Sequence, residues 1–180
     1  MSNKNLEPEN RKVLLDMGCG EGNDSLFFAN KGYYVIGVEK DKKVFEKAKE
    51  SVLLEKKEKF IKLYNEDIRE IDLKGKFDAV LFHFVLMFMS KKDALGLIEK
   101  YFNKLNKGGE MLIKVLMSDD KIAESHKGGK YFYPKIKELE EVRDKYQAVF
   151  LEFRKKKDNP HGKNKHPHIH SIGILKIIKK

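Results

Sequence analysis

Short apolar runs rich in Val, Ile and Leu alternate with longer amphipathic stretches along most of the chain. Runs of the first kind read as buried strands and stretches of the second kind as helices. Residues 12–17 (KVLLDM) open the series as a strand, and residues 23–31 follow as a helix with Leu26, Phe27 and Ala29 turned inward. Residues 33–39 (YYVIGVE) are β-branched and predict a second strand. Asp41 is placed to cap a helix over 42–56, whose Val44, Phe45, Ala48, Val52 and Leu53 follow helical spacing. Residues 60–64 and 77–84 predict the third and fourth strands. Ser90 caps a helix to residue 105 with Ala94, Leu97, Ile98, Tyr101 and Phe102 inward; Gly108 and Gly109 stop it, and 110–116 is a fifth strand.

Strand and helix in strict alternation imply an α/β fold, a parallel sheet with helices on both faces. Residues 117–133 break the rhythm. They are polar, hold Gly128 and Gly129, and end in Tyr131, Phe132, Tyr133 and Pro134, which predicts a loop over the C-terminal edge of the sheet. A helix over 135–145 follows. Strands over 147–153 and 169–178 are joined by a Lys- and His-rich loop, 154–168, and so short a link makes them antiparallel neighbours. The expected sheet is parallel with an antiparallel pair at one edge, in one domain over residues 1–180 that opens with a short polar segment, 1–10.

Composition narrows the class. The chain has 180 residues and a net charge of +10. Residues 1–120 carry 22 Lys and Arg against 21 Asp and Glu, and residues 121–180 carry 16 against 7. The body is nearly neutral, and the excess lies in the last third. The longest apolar run, 79–89, contains His83 and falls far short of the roughly 20 residues of a membrane helix. The N-terminus is polar and mixed in charge, unlike a signal peptide, so the cytoplasm is the expected location. A single cysteine, Cys19, excludes an internal disulfide and a cysteine zinc cluster.

The sharpest motif is the turn after the first strand, Asp16-Met17-Gly18-Cys19-Gly20-Glu21-Gly22, with Asn23 opening the helix. Glycines there let the backbone turn tightly and let a ligand approach the main chain. The turn is no P-loop, and its third glycine comes one place early for a dinucleotide fingerprint. Asp16 and Glu21 disfavour a pyrophosphate and favour a cation with an amino group. S-adenosylmethionine (SAM) carries a sulfonium and an ammonium and no phosphate. Glu39 ends the second strand at the spacing that meets ribose hydroxyls, and Asp67 follows the third, where an acid can meet an adenine amine. Cys19 reads as a small residue that the turn tolerates.

With these residues in order, the sequence resembles the class I SAM-dependent methyltransferases. The resemblance rests on LLDMGCGEG (14–22), GVEKD (37–41), NEDI (65–68), FDAVLFHFVLMFM (77–89) and LNKGGEMLI (105–113). It implies a Rossmann-like fold with a seven-stranded, mostly parallel sheet whose last strand is antiparallel, SAM as cofactor, and a cofactor site over Asp16, Gly18, Cys19, Gly20, Gly22, Asn23, Glu39, Lys40, Asp67, Ile68 and His83. Within that class FVLMFM, YFYP and the closing D-x-P-H-G…H-x-H segment are similar to the small tellurite-resistance and related small-molecule methyltransferases. Such likeness implies methyl transfer to chalcogen oxyanions or thiol-like nucleophiles.

His83 ends the fourth strand and reads either as a catalytic group near the methyl or as a satisfied core histidine. Tyr131, Phe132 and Tyr133 read as an aromatic wall over the substrate or as a cluster that pins the loop. His166, His168 and His170 alternate; Pro167 and the loop argue against a metal there, so no metal is expected. His168 and His170, with Arg154 across the hairpin, are the candidate contacts for an anionic acceptor. Three functions compete: a small-molecule methyltransferase, a nucleic-acid methyltransferase using the basic segment, and a non-catalytic SAM-binding module. The second lacks the proline turn that exocyclic base methylation uses after the fourth strand, which here reads Phe82-His83-Phe84-Val85. Aromatics are not interleaved with its basic run either.

Overall fold

The computed structural model describes residues 11–126, 130–158 and 168–180. Seven strands form one sheet in the order β3-β2-β1-β4-β5-β7-β6. They are β1 (Val13–Met17), β2 (Tyr34–Val38), β3 (Ile61–Tyr64), β4 (Phe77–His83), β5 (Leu105–Leu116), β6 (Phe150–Asp158) and β7 (His168–Ile178). Only β7 runs against its neighbours, pairing antiparallel with both β5 and β6. The helices are α1 (Asn23–Asn30), α2 (Lys42–Leu54), α3 (Lys91–Asn103), α4 (Lys121–Ser125) and α5 (Ile136–Tyr146). This is the α/β architecture expected from the alternation and the Rossmann-like fold that the resemblance implies. Strand order reverses between β1 and β4, and ligands of open α/β sheets bind at that switch point, beyond the strands' C-terminal ends.

The two faces of the sheet hold separate cores. Leu15, Met17, Val80 and Phe82 face α3, where Ala94, Leu97, Ile98 and Tyr101 are buried as their spacing requires. Leu14, Val35, Ala79 and Leu81 face α1. Alternation along β1 and β4 therefore assigns His83, two residues after Leu81, to the α1 face. Two expected inward residues are not inward: Phe27 is 54% exposed and Leu53 63% exposed. Each sits at the margin of its helix's apolar stripe, where periodicity discriminates least.

Several boundaries differ from expectation. α3 ends at Asn103, before the two glycines, and β5 begins at Leu105. Gly108 instead takes φ +77 within the strand and donates to the Lys179 carbonyl, so the glycines mark a strand irregularity, not a helix stop. The stretch 154–158, expected in the hairpin loop, is paired strand in β6. Lysines favour exposed edge strands, and β6 is the edge of the sheet.

The expected loop 117–133 contains α4, and its cap is a buried acid. Asp120 is 1% exposed. One oxygen accepts from the Ile122 N–H at 2.9 Å; the other accepts from the Ser171 N–H at 2.7 Å and lies 3.0 Å from His170 Nδ1. This acid ties α4 to the start of β7. Asp120→Ala removes a helix cap and leaves the Ser171 N–H unpaired, which should cost about 2 kcal/mol in urea unfolding. A loss below about 0.5 kcal/mol, the scatter of ordinary surface substitutions, would show the tie to be idle.

Candidate functional site

The glycine turn follows β1 because Asp16 and Met17 pair with β2 to its end, and the chain must then reverse into α1. Gly18, Gly20 and Gly22 take φ of +77, +57 and +87, the left-handed region. The Gly18 and Cys19 N–H groups both donate to the Val38 carbonyl, at 2.8 and 3.0 Å. A Cβ on Gly18 would lie 2.4 Å from Val85 Cγ2. A Cβ on Gly20 would meet nothing within 4 Å and would project into open space.

That space is a cavity of about 430 Å³ at the switch point. Gly18 and Gly20 form its floor; Glu39 and Lys40 line it after β2, and Asp67, Ile68 and Arg69 after β3. Phe84, Val85, Phe88 and Met89 give the far wall, and Tyr131 leans over it. Glu39 braces the turn: Oε2 accepts from the Gly20 N–H at 3.1 Å and Oε1 from the Asp41 N–H at 2.8 Å. Each oxygen keeps a lone pair that can accept from a hydroxyl. Arg69 clamps Asp67 through Nε at 2.9 Å and Nη2 at 2.5 Å, and these hydrogen bonds hold the Asp67 carboxyl at about 2. An ionised Asp67 accepts from an amine at any working pH. A bare-backbone floor, a hydroxyl acceptor, an amine acceptor and an apolar wall are the donor set that an adenosine with a thioether side arm needs.

Of the expected cofactor residues, Gly18, Gly20, Glu39, Lys40, Asp67 and Ile68 meet at this cavity. Five do not line it: Asp16, Cys19, Gly22, Asn23 and His83. Asp16 is 1% exposed beneath the turn, where the Ser25 hydroxyl donates to it at 2.6 Å. Burial pushes its carboxyl up to about 6, against that hydrogen bond. Cys19 is buried, its sulfur 3.0 Å from the place of a Gly37 Cβ, and burial pushes its thiol far up, so it is no nucleophile. Gly22 packs on Ala48, 3.5 Å from the Cβ that Gly22 lacks, and Asn23 opens α1 on the outside.

His83 is absent from the cavity wall as well. Its side chain is 11% exposed on the α1 face. Nδ1 lies 2.5 Å from Asp24 Oδ2, in the first turn of α1. The hydrogen bond with His83 holds the Asp24 carboxyl below its ordinary value, so Asp24 is the acceptor and Nδ1 carries the hydrogen. Nε2 is buried without a partner among the described residues. Asp24 was invisible in the sequence, because nothing relates residues so far apart until the sheet is built. Arg69 had a faint signal, standing two residues after an expected ligand acid.

The expected acceptor contacts divide. Tyr131 lies over the cavity, edge-on to Phe88 with centroids 6.4 Å apart. Phe132 does not: its N–H donates to the Met87 carbonyl, and its ring packs against the α3-side core under Lys91. Consecutive residues of an extended chain point to opposite sides, so Tyr131 and Phe132 cannot both face the ligand. Tyr133 stacks on His126 at 6.0 Å and accepts or donates at His126 Nδ1 over 2.8 Å. Arg154 is ion-paired with Glu152 on the outermost strand, three strands from β4. His170 is 7% exposed between Asp120 and Asp158, the latter 4.0 Å from Nε2. Two carboxylates there repel an anion, so His170 holds structure together. His166 and the side chain of His168 lie outside the described residues. Among the described residues no group of three His, Cys, Asp or Glu is placed to hold a metal, and no described helix is long and apolar enough to cross a membrane.

Comparison with known proteins gives the same picture. The family model for tellurite resistance protein TehB matches residues 4–161. A probable S-adenosyl-L-methionine-dependent methyltransferase TehB of Haemophilus influenzae is 28% identical over 109 residues, 61% of this chain and 37% of that protein. A carboxy-S-adenosyl-L-methionine synthase of Campylobacter concisus is 30% identical over 122 residues, 66% of this chain and 50% of that protein. This chain thus spans half or less of the length of these two relatives. The crystal structure of TehB from Haemophilus influenzae superposes with a TM-score of 0.79 at 20% identity, covering 96% of this chain and 59% of that one. A match over most of the chain's length, on the strands and turns that build the cavity, makes this protein a member of the TehB family.

Proposed function

We propose that this chain is a SAM-dependent methyltransferase of the cytoplasm that acts on a small acceptor. The observation that carries the reading is the floor of the cavity, where a left-handed Gly20 is fixed by Glu39 and leaves its backbone open to a ligand. Glu39 would take the ribose hydroxyls and Asp67 the adenine amine, with Ile68, Met89 and Phe88 on the ring and Tyr131 covering it. Lys40 would stand at the rim. SAM supplies an activated methyl group when bound, so the chain's own task is to position and desolvate. The acceptor side is then the α1 edge of the turn, toward His83, and a soft, thiol- or chalcogen-type acceptor suits it, since the carboxylates of Asp24 and Asp16 stand there.

S-adenosylhomocysteine at about 100 times its Kd should raise the stability by about 2.7 kcal/mol in a thermal-shift assay. Radiolabelled SAM should transfer its methyl to members of a panel of thiols, selenite and tellurite. No shift, or label passing to total RNA and to no small acceptor, overturns the reading. Nucleic acid is disfavoured because two of the four cations at 154–157 are already spent: Arg154 on Glu152 and Lys156 on Asp158. Affinity for RNA that falls steeply between low and moderate salt would reverse that judgement.

A further inference from the structure

Three features stand where the end of β4 meets α1. The first is the pair Asp24–His83, with Nδ1 and Oδ2 2.5 Å apart. The second is His83 Nε2, one of two buried side-chain polar atoms without a partner among the described residues. The third is Phe84, which takes φ +54. A bulky aromatic rarely occupies the left-handed region, because its Cβ crowds the following carbonyl oxygen there. Such strain persists where surrounding contacts enforce it, and it concentrates at functional sites. Here the Phe84 N–H donates to the Lys114 carbonyl at 2.8 Å, and the next residue, Val85, fills the notch left by Gly18. Phe84 thus lines the cavity while the residue before it is locked against α1.

We propose that Asp24 is a positioning residue that fixes His83 as the proton acceptor for the methyl acceptor, and that the substrate is therefore one that still carries its proton at neutral pH. This rests on the methyltransferase reading above. A carboxylate can only accept, so Asp24 keeps the ring hydrogen on Nδ1 and the lone pair on Nε2. The same logic orients the imidazole of hydrolase triads. The charges that face the ring are Asp24 from α1, buried Asp16 from β1 and, beside it on β5, Lys114. The step balances as follows. The acceptor's lone pair forms the bond to the methyl carbon, the carbon–sulfur bond breaks with its pair passing to sulfur, and the acceptor's proton moves to Nε2. The resulting imidazolium is held by Asp24 and returns the proton to water after product leaves.

Two thiols separate this proposal from a structural role. 2-Mercaptoethanol carries its proton at pH 7; 4-nitrothiophenol is already ionised. Asp24→Ala should lower kcat on 2-mercaptoethanol by about 100-fold, the usual worth of a positioned base. It should leave 4-nitrothiophenol turnover and the S-adenosylhomocysteine thermal shift within about threefold of wild type, and Asp24→Glu should restore part of the loss. Nitrogen NMR of the S-adenosylhomocysteine complex should find His83 hydrogen on Nδ1 in the wild type and on Nε2 in Asp24→Ala. An equal loss on both thiols, no loss on either, or hydrogen on Nε2 in the wild type overturns the proposal. Wild-type protein that binds S-adenosylhomocysteine but methylates neither thiol also overturns it, while sparing the cofactor reading. Absence of the thermal shift removes that reading too.

Discussion

Gly18→Ala should unfold about 3 kcal/mol more easily than wild type and lose measurable binding of S-adenosylhomocysteine. Two costs combine. The left-handed φ of +77 costs a residue with a Cβ about 1–2 kcal/mol. The new methyl would also stand 2.4 Å from Val85 Cγ2 and 2.8 Å from Val85 Cβ, so the turn or the wall must move. Overpacking of this kind costs roughly 1–3 kcal/mol. Because Gly18 and Val85 both line the cavity, relief of the clash comes at the expense of the ligand's space. Gly20→Ala is the contrast: it pays the backbone cost alone, since its methyl meets nothing, and should stay folded while binding falls. A double-mutant cycle with Val85→Ala isolates the clash. The pair should show a favourable coupling of at least about 1 kcal/mol in urea unfolding, since neighbours in contact do not add. Coupling near zero would mean that Val85 does not set the position of the turn.

That cycle also marks the boundary of what the residues alone reveal. The turn, Glu39 and Asp67 were legible because each lies at the end of a strand, and strand ends gather at the switch point whatever the details of packing. The parallel sheet and its antiparallel edge pair followed from alternation and from one short hairpin link. Direction was harder to read than location. Asp16 and Cys19 belong to the motif yet point beneath it, because a left-handed turn decides which atoms face out. Phe132 and Tyr131 are adjacent and face opposite ways. His170 looked like an anion contact among lysines until the fold put Asp120 and Asp158 beside it. Pairings across the sheet, such as Asp24 with His83, carry no local pattern at all.

Asp16→Asn should make the protein more stable at pH 8, by about 3 kcal/mol, and bind the cofactor less well. Burial beneath the turn is the largest influence on this carboxyl and lifts it from 3.8 to about 6; the Ser25 hydrogen bond offsets only part of that. The folded state therefore binds the proton more tightly than the unfolded state. Stability from this group is fully present below pH 3.8 and is lost as pH rises to about 6, a difference of about 3 kcal/mol at 1.36 kcal/mol per unit. Asparagine is neutral throughout and its Oδ1 still accepts from Ser25. The stability gap between variant and wild type should thus be widest above pH 7, shrink on acidification and close near pH 4, in urea titrations at each pH. A gap that is flat with pH would remove the burial argument. Retaining a destabilising ionised acid beneath a ligand turn makes sense if the charge acts on the ligand through the backbone, on the ammonium end of SAM. On that account the variant's affinity falls about fivefold to tenfold at pH 8, the worth of about 1 kcal/mol for charges held apart and screened by the turn between them. The wild type should lose the same factor on its own as pH drops through 6, where protonation makes Asp16 resemble the asparagine. Stability gained and affinity lost by one substitution, both following one titration, is a signature that a purely structural carboxyl cannot produce.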